Sequence, residues 1–291
     1  MKKLLIAVLL ITLFTTNLLA AELIFEHEDQ SGDEFGPGTY IYPSSQQFKP
    51  YEGLFDLTYF KVERQDDLYN FYFEFEEINN PWQAPQGFSH QLIQVYIDNQ
   101  AGGRTDTFKP GANVKFESRH PWNQLIKITG WDVKLYYHDD NPKDSARLAD
   151  NLAKRIDQTT IKAQIPKEKL GDLNQAYYYV LIGSFSPFGA DNYRQVNYEA
   201  SGWEFGGGKD SNINPNVIDT LVPEGLSQQE ILGSFSTEKE ELAVLRAVGA
   251  EPALSVKIFI ISAFLLLLIA VLVGFLGKIF LKYLRRYGYF S

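Results

Sequence analysis

The stretch "LYNFYFEF", residues 68–75, sets Tyr69, Phe71, Phe73 and Phe75 two positions apart, with Asn70 and Glu74 between them. A strand turns successive side chains to opposite faces, whereas a helix would spread these four rings around its axis. The run therefore predicts a β-strand with an aromatic face on a core and a more polar face turned away from it.

The same period recurs in "HQLIQVYID" (90–98), "LIKITGWDVKLYY" (125–137), "TIKAQIP" (160–166) and "AYYYVLIG" (176–183). Between these runs lie "NNPWQAPQG", "NQAGGRTD", "GDLNQ" and "SPFGADN", rich in the residues that bend or stop a chain. Only Lys143 to Arg155 reads briefly as helical, from the spacing of Leu148 and Leu152. Many short strands with almost no helix predict an all-β fold, an antiparallel β-sandwich in one domain over residues 22–250. No internal repeat of solenoid or propeller length is present.

The two ends read differently. Residues 1–21 carry two lysines, an apolar run from Leu4 to Phe14 and then alanines, the layout of a signal peptide. A leucine precedes the alanine pair, so an uncleaved N-terminal anchor is the alternative. Residues 258–277, "IFIISAFLLLLIAVLVGFLG", hold no charge; at about 1.5 Å per residue they match a hydrocarbon core of about 30 Å. Lys278, Lys282, Arg285 and Arg286 follow directly, which predicts a cytoplasmic C-terminus. The expected order is signal peptide, external domain, a linker at 251–257, one transmembrane helix and a short basic tail at 278–291. The acidic piece from Ser236 to Ser255 reads as a stalk ahead of the membrane. The location expected is the cytoplasmic membrane, single-pass, with the folded body outside.

All 36 acidic residues but only 21 of the 27 basic ones fall between the two terminal segments, giving that part about −15. Nucleic acid and anionic lipid are poor partners for such a surface. The chain has no cysteine, so it can build neither disulfides nor a thiolate metal site.

Residues 27–45, "HEDQSGDEFGPGTYIYPSS", offer Asp29, Asp33 and Glu34 as hard oxygen donors, with glycines that let carbonyls converge. Calcium is a candidate there; turn capping is the competing role for the same acids. For a sugar, a flat ring must lie against the C–H face of a pyranose, with polar groups at the rim. Trp82, in a Pro-rich loop, and Trp122, after "RHP", read as exposed, with Tyr40 and Tyr42 as further candidates. Trp131 and Trp203 lie in strand-like alternation and read as core. Asp98, Asp132, Glu199 and Glu204 could serve as a glycosidase pair, yet no catalytic motif accompanies them. Met1 is the sole methionine, which excludes a Met/His haem site; a bis-His pair among His27, His90, His120 and His138 is the remaining alternative, and no haem is expected.

In order along the chain, "GDEFGPGTYIYP", "FDLTYFKV", "NPWQAPQGFSHQLIQVYID", "GANV", "ITGWDVKLY", "IPKEKLGDL", "WEFGGG" and "NPNVIDTLVPEGLSQQEIL" resemble the C-terminal module of glucodextranase and related pullulanase-type enzymes. The resemblance runs from about Phe25 to Val248. It implies a DOMON-like β-sandwich akin to family 9 carbohydrate-binding modules, in which calcium acts as structural glue; on that likeness Asp56 joins the calcium set. The catalytic domain of such enzymes has no counterpart here. The expected function is a non-catalytic, membrane-anchored glycan-binding module for α-glucan or cell-wall polysaccharide. The alternative is a protein-interaction module that recruits a hydrolase or transporter to the membrane.

Overall fold

The computed structural model describes residues 21–143, 148 and 152–249. A five-stranded antiparallel sheet runs in the order β1 (Glu22–Glu28), β2 (Leu57–Gln65), β3 (Leu68–Phe75), β9 (Thr160–Pro166), β8 (Ala153–Arg155). The opening stretch is β3, at the centre of this sheet. Tyr69, Phe71, Phe73 and Phe75 are at most 1 % exposed, and each such side chain contributes about 1.5–3 kcal/mol relative to leaving it in water. Asn70, expected on the polar face, is also buried and accepts a hydrogen bond from Gln164 Nε2 on β9 at 2.8 Å.

The second sheet is antiparallel and follows the order β11 (Val217–Thr220), β10 (Tyr177–Ser184), β4 (Gln91–Asp98), β6 (Gln124–Ile128), β7 (Val133–Tyr137), with β13 (Val248–Gly249) also pairing β10. Its inner face packs on the first sheet: Tyr178 meets Phe25 and Phe60 at ring-centroid distances of 4.9 and 5.5 Å, and Val95, Ile97, Ile126 and Ile182 join that core.

Its outer face is covered as well. Tyr96, Leu125, Tyr136, Tyr179 and Leu181 pack under a second apolar layer from β5 (Val114–Phe116) and β12 (Ala243–Leu245), which pair in parallel. This cover explains why β4 is buried along almost its whole length where the sequence predicts alternation. The described residues also form two short α-helices, α1 (Lys167–Leu170) and α2 (Gln228–Leu232), and two 3-10 turns; Ser227 and Glu230 form a capping box at the start of α2.

Two expectations are corrected. Ala153–Arg155, expected to end a helix, forms the edge strand β8. The piece expected to be a stalk folds back onto the domain as far as Gly249, because Ala243, Leu245 and Val248 bury their side chains against both sheet systems. Contacts divide the chain into Met1–Gly249 and Ala250–Ser291. Among the described residues no helix is long and apolar enough to cross a membrane. The expected signal peptide (all but residue 21), linker, transmembrane helix and tail lie outside the described residues.

Candidate functional site

Loops leaving the strands near Phe75, Ile128 and Ser184 converge on a groove of about 780 Å³. Trp82 enters from the segment after β3, Trp131 from the β6–β7 turn, Phe185 and Phe188 from the end of β10, and Trp203 with Glu204 from the long β10–β11 connection. Each ring rests on a packed support. Trp131 stacks on Phe185 at 4.6 Å, Trp82 leans on His90 at 4.5 Å, and Trp203 meets the edge of Phe48 at 6.2 Å. Trp203 is 49 % exposed and Phe188 is 97 % exposed, so apolar faces remain open to a ligand. His90 beneath Trp82 is fully buried; desolvation pushes its pKa down to about 4, and Nε2 bonds the Gln47 carbonyl at 2.8 Å, so the support is a neutral imidazole.

The groove's polar groups are Ser186, Arg194 and Glu204. The connection that carries Trp203 and Glu204 is held by backbone pairing of Ile41 with Gly206 in both directions, 3.0 and 2.9 Å, and by Ser44 and Ser45 donating to Ser201 and Gly202. Gly207 has φ +83°, and a Cβ there would overlap the Thr39 carbonyl, so part of the "WEFGGG" word exists to let two backbones touch.

Of the aromatic candidates from sequence, Trp82 lines this groove and the others do not. Trp122 is fully buried in the outer apolar layer, its indole N–H donating to the Asp106 carbonyl at 2.8 Å and its ring against Tyr96 and Phe108. The residues after "RHP" are thus covered by β5 and the loop before it, which the local sequence does not reveal. Tyr40 is 4 % exposed with its hydroxyl on the Pro215 carbonyl, and Tyr42 is 8 % exposed with its ring on Phe205. Conversely, Trp131 and Trp203, read as core, face the groove, because each sits in a turn beside its strand-like run.

Asp33, Asp56 and Asp219 present carboxylate oxygens within 4.8 Å of one another. Asp29 lies outside that set but close enough to feel its charge: it raises the pKa of Asp219, and Asp33 and Asp56 raise that of Asp29. Burial is the main cause of these shifts and like charge the second, pushing Asp29 up to about 8 and Asp33 up to about 6, with Asp56 and Asp219 raised too. Asp29 Oδ2, Asp33 Oδ1 and Asp56 Oδ1 are buried without a hydrogen-bond partner, and Asp56 is only 2 % exposed. Unpartnered buried carboxylate oxygens facing like charges are costly unless a cation joins them. The donor set is all oxygen, which suits a hard cation such as calcium.

Glu34 does not belong to this cage. Its carboxylate accepts from the Tyr42 hydroxyl and from the Gly53 and Phe55 amides, so it is a backbone clamp. Asp219 is the member that sequence reading missed. The signal was present as a lone acid in the apolar run "NVIDTLV"; in the fold its oxygens also accept the Leu57 and Thr220 amides at 2.6 Å. Asp56 immediately precedes β2 of one sheet and Asp219 lies in β11 of the other, so the cage ties the two layers together.

The remaining carboxylates considered for catalysis are dispersed. Asp98 pairs with His120 at 3.0 Å and Asp132 with Lys134 at 2.9 Å, while Glu204 stays in the groove.

No curated protein matches the chain. A family model described as the C-terminal binding module, SLH-like, of glucodextranase matches residues 24–247, which takes in both sheets, the groove and the cage. The family is one of binding modules and not of catalytic domains, and over that span the chain belongs to it.

Proposed function

We propose that the protein is a non-catalytic glycan-binding module, DOMON-like in its sandwich, held at the outer face of the cytoplasmic membrane by its C-terminal apolar segment. The observation that carries this reading is the convergence of three indoles with Phe185 and Phe188 on one groove whose polar lining is Ser186, Arg194 and Glu204. Indole faces take the C–H side of a pyranose, and polar groups of such a groove take its hydroxyls. A neutral α-glucan or cell-wall polysaccharide fits a groove of this kind on a body of about −15. Single-site contacts of this sort are weak, and many copies on one membrane raise the effective affinity for a polymer.

Calcium, on this reading, is a structural ion held by Asp29, Asp33, Asp56 and Asp219. It would supply positive charge among four neighbouring carboxylates, two of them buried, and fix the loop after β1 to both sheets.

Native electrophoresis of the full-length protein in detergent, through gels containing glycogen, pullulan or dextran, tests the glycan reading. Retardation in at least one gel, lost in Trp203→Ala, supports it. Unchanged mobility in all three and in cell-wall extract overturns it, and a stoichiometric protein partner recovered from membranes would then favour recruitment as the function.

A further inference from the structure

Among the described residues Arg194 is the only cation lining the groove, and it is 6 % exposed. Its donors point inward: Nε to Ser184 Oγ at 3.1 Å, Nη1 to the Trp203 carbonyl at 2.8 Å and Nη2 to the Phe185 carbonyl at 2.9 Å. Its guanidinium also lies 5.2 Å from the centre of the Phe48 ring, the ring that supports Trp203. One planar group thus bridges two groove segments, Phe185 with its stacked Trp131 and Trp203 with its support. A guanidinium fork can hold two carbonyls at fixed separation; an ammonium, a point charge on a flexible stem, cannot do so with the same geometry.

Glu204 lines the same groove, and its Oε2 is buried without a hydrogen-bond partner among the described residues. Burial raises the Glu204 pKa, and the nearby Arg194 charge offsets part of that rise. An anionic ligand would meet a guanidinium already spent on carbonyls and a carboxylate that repels it. A neutral polyol brings no such charge and offers hydroxyl donors. Specificity of this kind comes from the repulsive element as much as from the attractive one.

Resting on the glycan reading above, we propose that Arg194 is the positioning residue of the groove and that the Glu204 carboxylate in the same groove restricts the ligand to neutral glycans, excluding uronic-acid and sulfated polymers. The test uses the full-length protein in detergent, with dextran and pullulan as neutral probes and polygalacturonate as the anionic one, at low and moderate salt. The neutral-to-anionic affinity ratio is expected to exceed about tenfold at both salts. Arg194→Lys keeps the charge and loses the fork, so neutral affinity is expected to fall by about tenfold while acrylamide quenching of tryptophan rises. Glu204→Gln leaves the fork in place and narrows the neutral-to-anionic ratio by about fivefold. Equal or tighter binding of polygalacturonate by the wild type overturns the proposed ligand class, as does an unchanged ratio in Glu204→Gln. Wild-type affinity and quenching in Arg194→Lys overturn the positioning role. Failure of the wild type to bind any of the polymers overturns the glycan reading and the ligand class with it, and the quenching comparison then decides the positioning role alone.

Discussion

The Glu34 carboxylate accepts the Tyr42 hydroxyl at 2.5 Å and also takes the backbone amides of Gly53 and Phe55. One buried acid therefore satisfies three donors from two segments of chain, and it stands next to cage residue Asp33 on one side. Tyr42 continues the contact to Phe205, in the connection that presents Trp203. Burial is costly enough to push the Glu34 pKa up to about 7 even with these donors pulling the other way.

Removing that acceptor strands buried amides. Glu34→Gln, which keeps the shape and offers a donor where an acceptor is needed, is expected to cost about 2–3 kcal/mol. Tyr42→Phe loses one of the three bonds and keeps the ring, so about 1 kcal/mol is expected. Urea melts of the three proteins measure both; a Glu34→Gln midpoint equal to wild type contradicts the clamp.

The tryptophans divide into two groups with opposite consequences. Trp203→Ala removes a half-exposed groove face and is expected to weaken glycan binding by about tenfold, or 1.4 kcal/mol, with little change in melting temperature. Trp122→Ala empties a fully buried site between Tyr96 and Phe108 and is expected to cost about 3–5 kcal/mol of stability. Parallel calorimetry and gel retardation on both variants separate the two roles. Loss of binding without loss of stability in Trp122→Ala would contradict this division.

Why the sequence misplaced three of four tryptophans while it read the sheets well is a matter of range. Period-two alternation is local, so the aromatic face of β3 was legible from eight residues. Whether a ring is covered depends on chain distant in sequence: Trp122 is sealed by residues near 106 to 116, and by β12 more than a hundred positions later. The cage shows the same limit. Asp29 and Asp33 were legible as acids near glycines and Asp56 only through the family likeness, whereas Asp219 reaches them only because β11 closes the second sheet. Glu34 differs from Asp33 by one position and points to the Tyr42 side of the chain, a distinction that composition does not carry.

Asp219 is fully buried beside other acids, with the Leu57 and Thr220 amides donating to its two oxygens at 2.6 Å, and on the calcium reading the ion offsets the remaining cost of its charge. With calcium in the buffer, Asp219→Asn is expected to abolish most of the calcium-induced rise in melting temperature. In chelator the same variant is expected to melt below the wild type, because an amide nitrogen replaces one of the two oxygens that accept the Leu57 and Thr220 amides, so the difference between calcium and chelator is what isolates the ion. Scanning calorimetry with calcium and with chelator compares the two proteins. A wild-type calcium shift in Asp219→Asn would exclude this residue from the ion's site.

The pH dependence of that calcium shift follows from the sign of the cage pKa values. In chelator, Asp29 and Asp33 have folded values of about 8 and about 6, above the ordinary 3.8, and Asp56 and Asp219 are raised as well. Acids raised on folding contribute stability that is fully present below about pH 4 and is lost as pH climbs through about 6 and then about 8. A bound calcium ion favours the ionised carboxylates and reverses that slope, while protons compete with the ion at low pH. The calcium-induced rise in melting temperature is therefore expected to be small near pH 4.5 and to grow steadily up to about pH 8. Measuring the difference between calcium and chelator at each pH cancels the opposite contribution of His90, whose lowered value of about 4 costs stability as pH falls below about 6.5. A calcium shift that stays constant across this range would mean that the ion does not bind the Asp29, Asp33, Asp56 and Asp219 carboxylates.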